Sequence, residues 1–339
     1  MNGILQWGGA LVLVLLHFNV VDLIAYVMLS RLVTTIVLGI MIYRIMGWVP
    51  ISKGLNLLLL KDILSFGGWA MVSQVVSPIL QYAERFMLSG LIATSIVTFY
   101  VVPYEATSKM LVLSVGLVSA LFPAMSEIHA RGGLNQDFRR LYVQSERILV
   151  FAFLPIGAFL FMFTPEILKL WMGNIFAENA GLVFKILSLA FLVNAVAQLP
   201  FTVLQAVGRS DLTGKIHLIE LPIHLLITFV MIQNFGLVGA AAATLVRIIM
   251  DAVLLYSFAS RKLGLEIGIL KNFWKTCGIP IASLVAGMAC AFFPQRVIIL
   301  KAILSLTSLL IYVLIVLRFS LQEDEKRFLM NVVPWRARA

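Results

Sequence analysis

The run Leu237-Val-Gly-Ala-Ala-Ala-Ala-Thr-Leu-Val-Arg-Ile-Ile-Met-Asp-Ala-Val-Leu-Leu-Tyr-Ser-Phe-Ala-Ser260 decides the fold. Within it only Arg247 and Asp251 carry charge. A helix crossing the hydrocarbon of a bilayer needs about 20 mostly apolar residues, and it satisfies its own backbone hydrogen bonds. This run meets both conditions. Working outward, nine more stretches meet them, approximately 4–20, 22–43, 63–90, 96–125, 141–164, 178–207, 215–234, 273–293 and 297–319. The first two, divided only by Phe18-Asn-Val-Val-Asp22, read as one bent hairpin. The expected fold class is an all-α integral membrane protein with about ten transmembrane helices.

Composition agrees. The chain of 339 residues is 61% hydrophobic and 12% charged, whereas soluble domains carry about 25% charged residues. That excludes a soluble enzyme, a disordered chain and a disulfide scaffold. Cys277 and Cys290 share one apolar block and read as packing residues. Met1 opens almost directly into apolar sequence, with no basic segment before it, so the start does not read as a signal peptide.

The net charge of +10 does not point to nucleic acid, because eighteen of the 26 Lys and Arg fall on one side of the alternating spans. That side holds Arg44, Arg131, Arg139, Arg209, Arg261 and the C-terminal tail, among others; the opposite loops carry only Lys169, Arg296 and Lys301. Positive loops stay in the cytoplasm, so the chain is expected in the cytoplasmic membrane with both termini cytoplasmic. The longest outer loop, Pro165–Glu178 with Trp171, is expected to lie along the interface.

No motif supplies chemistry of its own. Gly208 to Lys215 superficially resembles a phosphate-binding loop, but it has one residue too many between its glycines and Ile216 where a magnesium-binding hydroxyl belongs. Metalloprotease and serine-elbow motifs are missing from the sequence. The chain therefore reads as a non-enzyme with no cofactor and no metal.

The informative residues are polar ones inside spans, because a charge at the bilayer centre costs at least about 2.5–3.5 kcal/mol. Gln74, Ser77, Gln81 and Glu84 follow one helix face, with Arg85 beside them. Glu105 and Lys109 stand at i,i+4 spacing, as do Arg247 and Asp251. Asn194, Gln198 and Gln205 form a further stripe, His217, Glu220 and His224 another, and Arg31 is alone in the second span. The charged pairs serve equally well as helix-stabilising pairs, and the amides as glue between helices. The histidines suit interfacial or lumen-facing polarity better than zinc. Taken together, one-sided polarity on five adjacent spans implies a hydrated, partly cationic cavity. Its expected substrate path is Arg31, Gln74, Gln81, Glu84, Arg85, Glu105, Lys109, Asn194, Gln198 and Arg247. The ion-coupling candidates are Glu105, His217, Glu220, His224 and Asp251. Guanidinium groups suit phosphate oxygens and amides suit sugar hydroxyls, so a lipid-linked sugar pyrophosphate meets both demands.

Leu64-Ser-Phe-Gly-Gly-Trp69, Glu84-Arg-Phe86, Tyr100-Val-Val-Pro-Tyr-Glu-Ala-Thr-Ser-Lys109, Leu121-Phe-Pro-Ala-Met-Ser126 and Gly236-Leu-Val-Gly-Ala-Ala-Ala-Ala-Thr-Leu-Val246 resemble polysaccharide flippases. These are the O-antigen and teichoic-acid branch of the multidrug/oligosaccharidyl-lipid/polysaccharide exporter superfamily. The resemblance implies two six-helix lobes around a central cavity, alternating access and coupling to an ion gradient. On that mapping, 1–44 holds the last two helices of a truncated first lobe and 45–61 a cytoplasmic linker. Residues 62–260 form the second six-helix lobe, 271–319 two extra helices and 320–339 a cytoplasmic tail. The first four helices of the first lobe have no counterpart here, which implies a truncated product or a fragment. Implied partners are the lipid-linked substrate, membrane lipids, a polysaccharide polymerase and glycosyltransferases. The competing functions are a multidrug or cation exporter of the same superfamily, a non-transporting remnant, and a membrane sugar polymerase, which the short outer loops disfavour.

Overall fold

The computed structural model describes residues 8–16, 19–46, 57–265 and 298–316. Every element among them is helical: α1 (Gly9–Leu15), α2 (Val20–Met46), α3 (Leu57–Leu91), α4 (Thr94–Gly132), α5 (Gln136–Met162), α6 (Thr164–Met172), α7 (Asn174–Ala206), α8 (Ser210–Leu263) and α9 (Ile298–Ile315). Five stretches are long and apolar enough to cross a membrane: Val20–Ile45, Ser95–Gly132, Gln136–Met162, Asn174–Ala206 and Ser210–Leu263. The chain is a multi-pass, all-α membrane protein. The expected span 273–293, with Cys277 and Cys290, and the tail 320–339 lie outside the described residues.

The chain divides into two compact units, Met1–Leu60 and Lys61–Ala339. In the first, α1 is only seven residues long, so the span expected over 4–20 is described only in that short piece. Helix α2 exposes Val21, Ile24, Met28, Leu32, Ile36 and Ile40 along its length, as a helix facing hydrocarbon does. Its small hydroxyl side chains bond within the helix: Ser30 donates to the Val27 carbonyl at 2.8 Å and Thr34 to the Ser30 carbonyl at 2.8 Å.

In the second unit α7 is the axis, packed against α4, α5, α6 and α8. Its sequence is mostly apolar, as a helix with several packing partners requires, and the small residues Ala180, Ala190, Ala195 and Ala197 are buried on it. Small residues let helix backbones approach. Between α3 and α8 the approach is closer still: a Cβ built on Gly214 would stand 2.8 Å from the Trp69 ring and 3.0 Å from its carbonyl oxygen. Prolines 78, 103, 123, 155, 200 and 222 all sit inside helices, which membrane helices tolerate where neighbours satisfy the freed backbone groups. Thr107, one turn after Pro103, donates its hydroxyl to the Pro103 carbonyl at 2.6 Å. Helix α9 docks on α5, where the Tyr312 hydroxyl donates to the Phe151 carbonyl at 2.9 Å.

One detail differs from expectation. The stretch Pro165–Glu178 is not a loop: α6 opens on Pro165 and Glu166 and stops at Gly173, whose φ of 88° ends it, and α7 follows at once. Proline and an acidic residue suit the first turn of a helix. Leu168 of α6 is buried while Leu170 and Trp171 are exposed. The spans expected over 215–234 and 237–260 are two helices, written here as the two halves of α8, and they part where expected, at Gly236 with φ 56° and ψ −129°. Only glycine takes that conformation without strain.

Candidate functional site

A cavity of about 240 Å³ lies among α3, α4, α7 and α8 of the second unit. Helix α3 contributes Gln74, Ser77 and Gln81, the i, i+3, i+7 face that the sequence marked, together with Ser73. Asn194 and Gln198 come from α7 and Tyr104 from α4. Helix α8 supplies His217 from before its break, and Arg247 and Asp251 from after it. The amides partly satisfy each other: Gln81 donates to Ser77 Oγ at 3.1 Å and Gln198 to Asn194 Oδ1 at 3.2 Å. Each amide offers two donors and a two-fold acceptor, so capacity remains for a hydroxyl-rich guest. Arg247 is the only Lys or Arg on the lining among the described residues. It is 8% exposed, and its Nε has no hydrogen-bond partner.

The other predicted residues separate into distinct groups. Glu84 does not line the cavity. It is fully buried, accepts a hydrogen bond from Thr244 at 2.7 Å and stands 3.1 Å from His224. Tyr100 lies 2.9 Å from Thr244 Oγ1; with the Thr244 proton committed to Glu84, the tyrosine hydroxyl donates. Arg85 pairs with Glu105 across α3 and α4 at 2.6 Å and stacks over the Tyr82 and Tyr104 rings. Lys109 reaches the same carboxylate at 3.4 Å, with its side chain 69% exposed. Arg31 belongs to the first unit and is exposed on α2. Of the cationic residues of the second unit expected on the cavity wall, Arg247 lines this cavity, while Arg85 and Lys109 reach Glu105 outside the lining. Arg247 and Asp251 both stand on the lining, and Asp251 Oδ1 is without a hydrogen-bond partner.

Asp251 instead joins His217 and Glu220. One ligand-type atom from each lies within 4.8 Å of the others, so Asp251 takes the place that spacing gave to His224. Phe201 stacks on the His217 ring, 5.8 Å away at 19°. Tyr100, Tyr104 and Thr244 were not singled out as site residues. Tyr100 and Tyr104 at i,i+4, and Thr244 one turn before Arg247, are the signals that mark them.

Residues 5–129 match the family described as polysaccharide biosynthesis protein. The chain is 32% identical over 195 residues to a putative O-antigen transporter of Shigella flexneri, covering 58% of this chain and 46% of that protein. It is 24% identical over 208 residues to a probable low-salt glycan biosynthesis flippase of Haloferax volcanii, covering 60% of this chain and 43% of the other. The chain thus spans less than half the length of these curated relatives. A MOP superfamily transporter from Pyrococcus furiosus shares the fold, with a TM-score of 0.53 over 76% of this chain and 63% of that one, at 15% identity. The resemblance to polysaccharide flippases read from the sequence holds, and these relatives are named as transporters and flippases rather than enzymes.

Proposed function

We propose that this chain forms part of a transporter that flips a lipid-linked oligosaccharide across the cytoplasmic membrane, alternately exposing a hydrated cavity to either side. The observation that carries this reading is the cavity lining: one guanidinium, Arg247, with His217 and one carboxyl group, Asp251, beside it, among neutral amides and hydroxyls. Arg247 meets the pyrophosphate, since a guanidinium stays charged at any depth and binds phosphate oxygens in pairs. Gln74, Gln81, Asn194 and Gln198 meet the sugar hydroxyls. The names of the relatives support the same cargo class. The excess of basic residues on one side of the spans supports cytoplasmic termini, and enzymes that build and polymerise the repeat unit fit as partners.

The test is reconstitution of the full chain in liposomes with a fluorescent lipid-linked disaccharide pyrophosphate. Flipping is read as loss of protection from a membrane-impermeant quencher. Arg247→Gln should slow flipping at least about tenfold, the effect of losing one charge-assisted contact, while Lys109→Gln leaves it unchanged. Equal rates for the wild type and Arg247→Gln would overturn the reading.

A further inference from the structure

Glu220 is fully buried, and neither of its carboxylate oxygens has a hydrogen-bond partner. Asp251 Oδ1 and His217 Nδ1 are likewise unpartnered, and the three side chains converge within 4.8 Å. A buried carboxylate that accepts no hydrogen bond is poorly tolerated as an anion, and two carboxylates this close do not both stay ionised without a cation between them. The titratable and charged groups around the cluster are Glu84 from α3, Tyr104 from α4, and His217, His224 and Arg247 from α8, while α7 presents the neutral Asn194 and Gln198. Glu84 is occupied with Thr244 and His224. One fixed positive charge, Arg247, therefore faces two carboxyl groups. A single proton on those carboxyls makes the set neutral; without it the set is negative.

We propose that His217, Glu220 and Asp251 form a site for one exchangeable proton, and that its occupancy sets how strongly Arg247 holds an anionic group in the cavity. The inference rests on the reading of the cavity as an anion site. His217, Arg247 and Asp251 share the cavity lining, so water reaches the cluster by the route a guest would take. With the proton bound, one carboxylate balances Arg247 and the other is silent, so an arriving anion meets no excess negative charge. With the proton gone, the second carboxylate opposes the anion. Proton and anion thus bind cooperatively, each raising the affinity for the other by the same factor. A divalent metal fits less well, because together with Arg247 it would leave the cluster positively charged.

The experiment measures binding of P1,P2-dimethyl pyrophosphate to the purified full chain in detergent. This diester keeps a constant charge between about pH 5 and pH 9, so any pH dependence belongs to the protein. Across the range where the site titrates, affinity should rise about tenfold for each unit that pH falls, the slope for uptake of one proton. Glu220→Gln and Asp251→Asn should each flatten the slope while still binding the diester. An infrared carboxyl C=O band should be present in the wild type at pH values where the slope is seen and lost in either variant. An unchanged slope in both variants overturns the proton site, as does reproduction of the pH effect at constant pH by sodium or zinc ions. If Glu220→Gln does not fold, Asp251→Asn and the wild-type band decide alone. Wild-type binding that is independent of pH yet lost in Arg247→Gln overturns this inference and leaves the anion site standing. Binding unaffected by Arg247→Gln overturns the anion site itself.

Discussion

His224 Nε2 on α8 lies 3.1 Å from Glu84 Oε1 on α3, and neither side chain reaches solvent. Thr244 donates to the same oxygen at 2.7 Å, with Tyr100 behind it at 2.9 Å. Residues from both halves of α8, His224 and Thr244, therefore meet on one carboxylate of α3, and α4 joins them through Tyr100 on Thr244. Removing one partner of a buried pair strands the other, at a cost of about 3–5 kcal/mol. Glu84→Ala should lower stability by that order in detergent unfolding. Glu84→Gln, which keeps an acceptor for Thr244, should cost less. Glu84→Gln combined with His224→Gln should cost less than the sum of the two single changes, the sign of direct coupling.

The Arg85–Glu105 pair should behave differently, because Glu105 is 46% exposed. Screened pairs are worth about 1 kcal/mol or less. Glu105→Gln should shift the unfolding midpoint only slightly, and the exchange Arg85→Glu with Glu105→Arg should recover part of the loss. Lys109→Ala should have no measurable effect on stability, its side chain being mostly in the open.

Helical periodicity explains both what the sequence disclosed and what it did not. At about 100° per residue, Gln81 falls within about 20° of Gln74, and the two share the cavity wall. Glu84 lies ten residues from Gln74, about 80° off that face, which turns it toward His224 and Thr244. Tyr104 reaches the lining, and Glu105, one residue on, faces Arg85. The membrane-spanning character was legible because apolar runs of sufficient length have few alternative folds. The partners of Glu84 and Asp251 were not, because they depend on helices meeting. Thr244 is 160 residues from Glu84 in the chain, and no local spacing encodes that approach. Equally, the i,i+4 spacing of Arg247 and Asp251 is local, whereas the approach of Asp251 to Glu220 and His217 arises only when the two halves of α8 fold together.

Gly236→Ala should destabilise the chain by at least about 1 kcal/mol, since its φ of 56° with ψ of −129° suits glycine alone. Gly181→Ala is the control: it stands in the regular interior of α7 with nothing within 4 Å of an added Cβ. Thermal unfolding of both variants should separate backbone strain from the mere loss of a glycine.

Orientation is checked with Gln136→Cys and Asn174→Cys, exposed positions at the start of α5 and just beyond α6, in a chain whose own Cys277 and Cys290 are replaced. An impermeant thiol reagent applied to intact cells should label position 174 and spare position 136 until the membrane is opened. The reverse pattern would invert the topology drawn from the basic loops.

The turn at Gly236 also bears on how the protein enters the membrane. His217, Glu220, His224, Thr244, Arg247 and Asp251 all belong to the one helical hairpin that folds back there. Each ionised side chain, inserted alone, would oppose partitioning by about 2.5–3.5 kcal/mol. Carried in on a hairpin that brings Glu220 to Asp251 and sets Arg247 one turn away, one carboxylate is offset by the guanidinium and a proton on the other leaves the set neutral before any other helix has arrived. The polar site thus travels with its own neutralisation, and the segment 210–263 can partition into the bilayer as one unit.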